Sequence, residues 1–241
     1  METVIYQNGL RYSEKEYKLE VEFEKLVVNN SKTFFGEKTI YIDAKKKIDN
    51  NSLGGVIPDG FLFDFSDRKN PEFYLVEVEL AKHSFFGHIF PQITKFFAFF
   101  KNPSSQGKLI EKLYSIFDND DGLLQELKIK LGKKEIFKFL KDTIENSQNI
   151  LLIIDGEKRE LPEITETYTD TWGKMVKVAI LKEYKTNRSK SNSIFTLSPD
   201  FENIENFDLV FENQGEKKEK SAYSEQFHIE DINDDTLAIY N

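Results

Sequence analysis

Between Ile57 and Leu80 the chain reads IPDGFLFDFSDRKNPEFYLVEVEL, and three carboxylates, Asp59, Glu77 and Glu79, stand among apolar, strand-forming residues. Along FYLVEVEL the side chains alternate between two faces. Glu77 and Glu79 therefore share a face with Phe73 and Leu75, while Tyr74, Val76, Val78 and Leu80 take the other. Residues two apart on one strand face are about 6 to 7 Å from each other. Like charges that close repel, and on a partly buried face they call for a proton or a cation. A hairpin brings Asp59, directly after Pro58, alongside the pair. Three converging carboxylates then form an oxygen-rich cage for a hard divalent ion such as Mg²⁺, with Mn²⁺ as its substitute. The competing reading is an amphipathic antiparallel strand with its glutamates in water and Pro58-Asp59 as a plain turn.

The elements that must position these groups can be read in outline. SEKEYKLEVEFEKLVVNN starts with Ser13 and has Glu16 three residues later, a capping-box pattern. Leu19, Phe23, Leu26 and Val27 recur at helical spacing, so a helix is predicted from Ser13 to about Asn29. KTIYIDAKK is a first strand, NNSLGG a turn, VIPDGFLFDF a second strand, DRKNP a loop and EFYLVEVELA a third strand. PQITKFFAFFKN is helical and ends near Pro103, and Lys108 to Ser147 is a charged helical insertion with breaks at Gly122 and Gly132. NILLIIDG is a buried strand and KMVKVAILKEY a fifth strand. The layout is α/β, with a mixed central sheet flanked by helices, over residues 1–186. Residues 187–241 read as a linker and a polar tail, or as the start of a truncated further domain.

Composition narrows the function classes. A formal net charge of -9 argues against a whole surface built to attract phosphates, so any nucleic acid must bind through a local patch or through cations. Cysteine is absent, which removes disulfide and thiolate chemistry and suits a cytoplasmic protein. No apolar run is long enough to span a bilayer, so no membrane partner is expected. A phosphate-cradling glycine loop, a nucleophile elbow and zinc-ligand spacing are all missing.

Pro58-Asp59, a strand, a loop, Glu77-Val78-Glu79 on the next strand and then a helix together resemble the PD-(D/E)XK nuclease superfamily. The resemblance covers roughly the first two thirds of the chain, from about Ser13 to Asp155. It implies a restriction-endonuclease-like core and a Mg²⁺-dependent nuclease hydrolysing DNA, or RNA, in restriction, phage defence or repair. It also implies that Asp59 and Glu77 bind the metal. Glu79 stands where the family has lysine; it implies an additional ligand or a base that orients water, and makes the site more negative. Lys82 or Lys95 is the alternative source of the missing positive charge.

The same resemblance assigns a metal-binding acid of the first helix to Glu24, with Glu20 one turn earlier in reserve. Gln92, at the start of the helix after the third strand, takes the role of contacting the site or the nucleic acid. Pro91 suits the first turn of that helix. His88 and Lys95 are the candidate nucleic-acid contacts, and His88 has a surface or capping role as its alternative. Phe96, Phe97, Phe99 and Phe100 read as core packing rather than base stacking. KIKLGKKEIFKFLK is the nearest approach to a phosphate-binding patch, and a solvated helix is its plainer reading. Cutting both strands of a duplex would call for a homodimer. A catalytically inactive module of the same fold, binding nucleic acid or a partner protein, is the alternative from a different class.

Overall fold

The computed structural model describes residues 3–48, 57–187 and 189–201, and these belong to one compact unit. The chain opens with an unexpected hairpin, β1 (Val4–Gln7) and β2 (Leu10–Glu14). It turns through Asn8 and Gly9, both at positive φ, the pair of residues that a tight hairpin of matching twist favours. Ser13 therefore lies in a strand, where it pairs with Lys185, and does not cap a helix. The first helix, α1, is shorter than predicted (Glu20–Asn29), and no side chain caps its start. A short α2 (Ser31–Phe35) follows.

The central strands appear in the expected order. β3 (Thr39–Asp43) runs into a single turn of helix, α3 (Ala44–Lys47), where the side chain of Asp43 caps the N–H of Lys46. β4 (Gly60–Asp64) and β5 (Glu72–Glu79) complete an antiparallel trio with β3. The expected turn at 50–55 lies outside the described residues. After β5 a π-helical turn, Phe85–Ile89, leads into α4 (Phe90–Phe100). Pro91 has no N–H with which to continue an α-helical ladder backwards, and the turn before it widens accordingly: the N–H of Phe90 reaches the carbonyl of Phe85.

The predicted insertion is three helices, α5 (Pro103–Asp118), α6 (Asp121–Leu131) and α7 (Ile136–Asn146). Gly132 does end α6, at positive φ, whereas Gly122 lies inside it. β6 (Asn149–Ile154) adds parallel to β5, and α8 (Glu160–Thr167), which the sequence did not suggest, carries the crossover to β7 (Val176–Thr186), again parallel. The segment expected to be a linker after Thr186 instead continues the sheet. β8 (Ser189–Ser198) pairs antiparallel with β7, and its Phe195 and Leu197 pack against the core. Residues 202–241 lie outside the described residues.

The result is a mixed eight-stranded sheet, β1-β2-β7-β6-β5-β4-β3 with β8 on β7. Its central strands β4, β5 and β6 are buried on both faces. One face packs Phe61, Phe63, Phe73 and Leu75 against Phe96, Phe100, Phe117 and Phe139 from α4, α5 and α7. The other packs Tyr74, Val76, Val78 and Leu80 against Phe23 and Val27 of α1 and Phe34 and Phe35 of α2. Each fully buried phenylalanine contributes about 1.5–3 kcal/mol, so the rigidity of β5 rests on a double apolar layer. Phe96, Phe97, Phe99 and Phe100 are all buried, as core packing requires and base stacking does not.

Candidate functional site

Glu77 and Glu79 end the central strand β5 and are 3% and 0% exposed, so the reading of a water-facing strand does not hold. Asp59 immediately precedes β4 and is anchored through its backbone. Its N–H donates to the carbonyl of Val76 (2.9 Å), and its own carbonyl accepts from the N–H of Ala44 (3.0 Å). Its side-chain Oδ2 accepts from the N–H of Val78 (2.7 Å). Gly60 pairs with Val76, so the β4–β5 register brings Asp59 beside Glu77, as the hairpin argument required.

Two further groups touch these carboxylates. Gln92, in the first turn of α4, donates from Nε2 to Glu77 Oε1 (2.6 Å) and to Glu79 Oε1 (3.2 Å). Lys45 of α3 forms an ion pair with Asp59 Oδ1 and reaches Glu24 Oε1 of α1 at 2.9 Å. Glu77 Oε2 is buried and has no hydrogen-bond partner among the described residues. An unpaired buried carboxylate oxygen is costly, and a protein retains one where a proton or a cation completes it.

On the other side of Glu79 lie two histidines. His83 Nδ1 is 2.9 Å from Glu79 Oε2 and 3.2 Å from Glu20 Oε2, and His88 Nε2 is 3.1 Å from Glu79 Oε1.

The crowding raises carboxylate pKa values. Burial, then the charges of Asp59 and Glu79, hold Glu77 well above the usual range. Burial pushes Asp59 up to about 6 even though Lys45 pulls it down. Burial and the charge of Glu79 push Glu20 up to about 8. Burial pulls the Lys45 ammonium down, but Asp59 outweighs it, and the net shift is upward.

Glu183 on β7 is a useful contrast. It is 4% exposed, like Asp59, yet it is fully answered: Tyr17 Oη donates at 2.5 Å, Ser193 Oγ at 2.7 Å and Lys15 Nζ at 3.1 Å. Burial acts to raise its pKa, and these donors reverse the shift to a net lowering. A structural buried carboxylate in this fold is thus given its donors. Glu77 is not.

Of the residues singled out from the sequence, the fold gathers Asp59, Glu77, Glu79, Glu24 and Gln92 into one cluster. Glu20 joins it as a full member through His83 rather than as a substitute for Glu24. His88 is exposed, and its Nε2 also reaches Glu79, so it belongs to the same cluster. Lys95 is exposed on α4 and has no ion pair among the described residues. Lys82 does not supply the cation either, since its ammonium donates to the carbonyls of Tyr17 (3.0 Å) and Lys18 (2.6 Å). Within the basic segment, Lys130 donates to the carbonyl of Glu37 (2.6 Å) and Lys134 to that of Arg68 (3.3 Å).

Sequence reasoning missed Lys45 and His83. His83 follows Glu79 by four residues and precedes His88 by five, a spacing that was visible but lay across an irregular segment. Lys45 is one of three successive lysines, with no local sign of which would point inward. Among the described residues no helix is long and apolar enough to cross a membrane. Comparison with protein-family models, with curated proteins and with solved structures gave no match.

Proposed function

We propose that this chain is a Mg²⁺-dependent nuclease, a hydrolase of phosphodiester bonds in DNA, with RNA as the second candidate substrate. The observation that carries the reading is the buried, unpartnered Oε2 of Glu77 beside the backbone-anchored carboxylate of Asp59. Both groups offer carboxylate oxygens, the ligand type that a hard divalent ion prefers. Asp59 and Glu77 would hold Mg²⁺, with Glu24 as the supporting acid. The element order α1, β3, β4, β5, α4, β6 also agrees with the core that the PD-(D/E)XK resemblance implies.

A bound divalent cation supplies positive charge against the negative charge that develops on phosphate during hydrolysis. The chain's own residues prepare the place. Gln92 orients Glu77 and Glu79 together. Asp59 is kept from rotating by its bond to the N–H of Val78. Lys45 brings to the site the positive charge that Glu79 cannot, from α3 rather than from the strand. In this reading Glu79 acts as a ligand on the far side of the cluster.

The test is calorimetric titration of the full chain with Mg²⁺ and Mn²⁺, wild type beside Asp59→Asn, followed by cleavage of plasmid DNA and of single-stranded RNA in the same buffers. Metal binding and cutting that are both lost in the variant are the expected result. A second reading, a non-catalytic module that keeps this fold, draws on one observation: Lys45 already neutralises Asp59. Absence of Mg²⁺ and Mn²⁺ binding by the wild type would favour it and end the nuclease proposal.

A further inference from the structure

Four donors from four parts of the chain meet at the far end of β5: Glu79 from the strand, His83 from the loop after it, His88 from the π-helical turn and Glu20 from the first turn of α1. Their ligating atoms all lie within 4.8 Å of one another. We propose that they form a second cation site, distinct from the Asp59–Glu77 cage, which takes a transition-metal ion of the Zn²⁺ class in preference to Mg²⁺.

The distances carry the first part of the argument. Around a tetrahedral ion with bonds of about 2.0–2.1 Å, neighbouring donor atoms are about 3.3 Å apart. Here His83 Nδ1 is 2.9 Å from Glu79 Oε2 and 3.2 Å from Glu20 Oε2, His88 Nε2 is 3.1 Å from Glu79 Oε1, and one atom from each residue fits within 4.8 Å of the others. Side-chain movements that open the closest pairs and draw the wider ones together would admit the ion.

Hydrogen bonding alone accounts for the cluster poorly. His83 Nδ1 faces Glu79 and Glu20 together, yet one ring nitrogen carries at most one hydrogen. It also brings the carboxyl groups of Glu79 and Glu20 onto the same ring nitrogen. A cation among the four donors satisfies every contact at once.

The site is also held in place from outside. The N–H of Ala81 donates to Asp155 Oδ1 (2.6 Å), and the N–H of His83 to the carbonyl of Leu80 (2.9 Å). Lys158 Nζ caps the carbonyl of His83. Ser84 Oγ accepts from the N–H of Gly87 (3.1 Å), which fixes the turn that carries His88. Lys82 ties the same loop to the carbonyls of Tyr17 and Lys18, just ahead of Glu20. Such outer contacts are what hold metal ligands in a productive orientation. The side chains of His83 and His88 are 29% and 47% exposed, so an ion can enter from solvent.

The donor set points to the metal. Mg²⁺ favours oxygen ligands and retains its waters, whereas two imidazoles with two carboxylates suit Zn²⁺, or Co²⁺ as its spectroscopic substitute. This inference does not depend on nuclease activity. Of its donors, only Glu79 also figures in the nuclease proposal.

The experiment titrates the untagged full chain, stripped with EDTA, with Co²⁺ and then with Zn²⁺ in competition. Wild type, a His83→Gln/His88→Gln double variant and Asp59→Asn are compared, each checked for native circular dichroism. Both histidines are part-exposed, so their replacement leaves the core intact. The expected result is one Co²⁺ with the intense visible absorption of a four-coordinate ion, displaced by Zn²⁺. Affinity should fall by at least about 100-fold in the double variant, since even residues that only support a ligand change it 10- to 100-fold. It should be unchanged in Asp59→Asn. Full Zn²⁺ affinity in the double variant, loss of it in Asp59→Asn, or no Zn²⁺ binding by the wild type would each overturn the proposal. If Asp59→Asn lost Mg²⁺ binding but kept Zn²⁺ binding, the two sites would be shown to be separate. If Zn²⁺ bound and no DNA were cut, the nuclease proposal alone would fail.

Discussion

The side-chain amide of Gln92 donates to Glu77 Oε1 across 2.6 Å, and this bond decides which oxygen of the buried carboxylate is left open. Because the same nitrogen also reaches Glu79, one residue of α4 sets the orientation of both acids of β5.

Gln92→Leu should therefore leave Glu77 without its donor. The loss of a hydrogen bond to a buried group costs about 1–3 kcal/mol. The variant is expected to lose unfolding free energy by that amount in EDTA, read as a lower urea midpoint. Its Mg²⁺ affinity, read by calorimetry, should fall about 10-fold, as for other residues that orient a ligand.

Lys45→Met separates charge from packing. Breaking a buried ion pair costs about 3–5 kcal/mol, but Lys45 is half exposed, so a loss of about 1–2 kcal/mol is expected in metal-free buffer. Mg²⁺ no longer competes with the ammonium for Asp59, and affinity should hold or rise. Cleavage should drop about 100-fold or more if Lys45 faces the phosphate. Calorimetry and a plasmid assay on one preparation read the two effects apart.

The raised carboxylates make stability fall with pH. Asp59 goes from its ordinary value of 3.8 to about 6 and Glu20 from 4.5 to about 8 in the folded chain, and Glu77 is shifted the same way. Between about pH 4 and 8 the folded state thus holds protons that the unfolded state has released, so raising the pH through this window favours unfolding. Glu183, whose pKa is lowered, acts with the opposite sign, and only at the acid end. Melting temperature measured from pH 5 to 8 in EDTA should decline steadily, and saturating Mg²⁺ should flatten the decline by compensating the charge.

Gly60→Ala tests the backbone support of Asp59. A Cβ at this position would lie 2.2 Å from Tyr41 Oη and 2.4 Å from Cζ, well inside contact distance. Tyr41 cannot easily yield, because its ring stacks on Phe35 at 5.9 Å. Overpacking of this kind costs about 1–3 kcal/mol. Denaturation of Gly60→Ala, Tyr41→Ala and the double variant should show strong non-additivity, with the second change relieving the first.

Much of the site was written locally. The two-residue alternation along β5 placed Glu77 and Glu79 on one face, and Pro58-Asp59 at the head of the preceding strand placed the third acid near them. Those statements needed only the geometry of an extended chain. The same kind of local reading failed at the N-terminus. Ser13 and Glu16 matched a helix-capping pattern, and the hairpin through Asn8 and Gly9 was not anticipated. Pairing of Ser13 with Lys185, far along the chain, settled the matter.

The sequence by itself determined the central strand order, the carboxylate pair on β5 and the apolar helix that covers them, because periodicity and turn residues act over a few positions. Only the tertiary structure decided that both faces of the central strands are buried, that Lys45 and not Lys82 or Lys95 answers Asp59, and that Glu20 and the two histidines close around Glu79. Those outcomes depend on strand register and on which helix lies over which edge. Groups far apart along the chain are brought into contact by packing, as Glu20 and His83 are at 3.2 Å, and no local pattern encodes which of several lysines or glutamates will face inward.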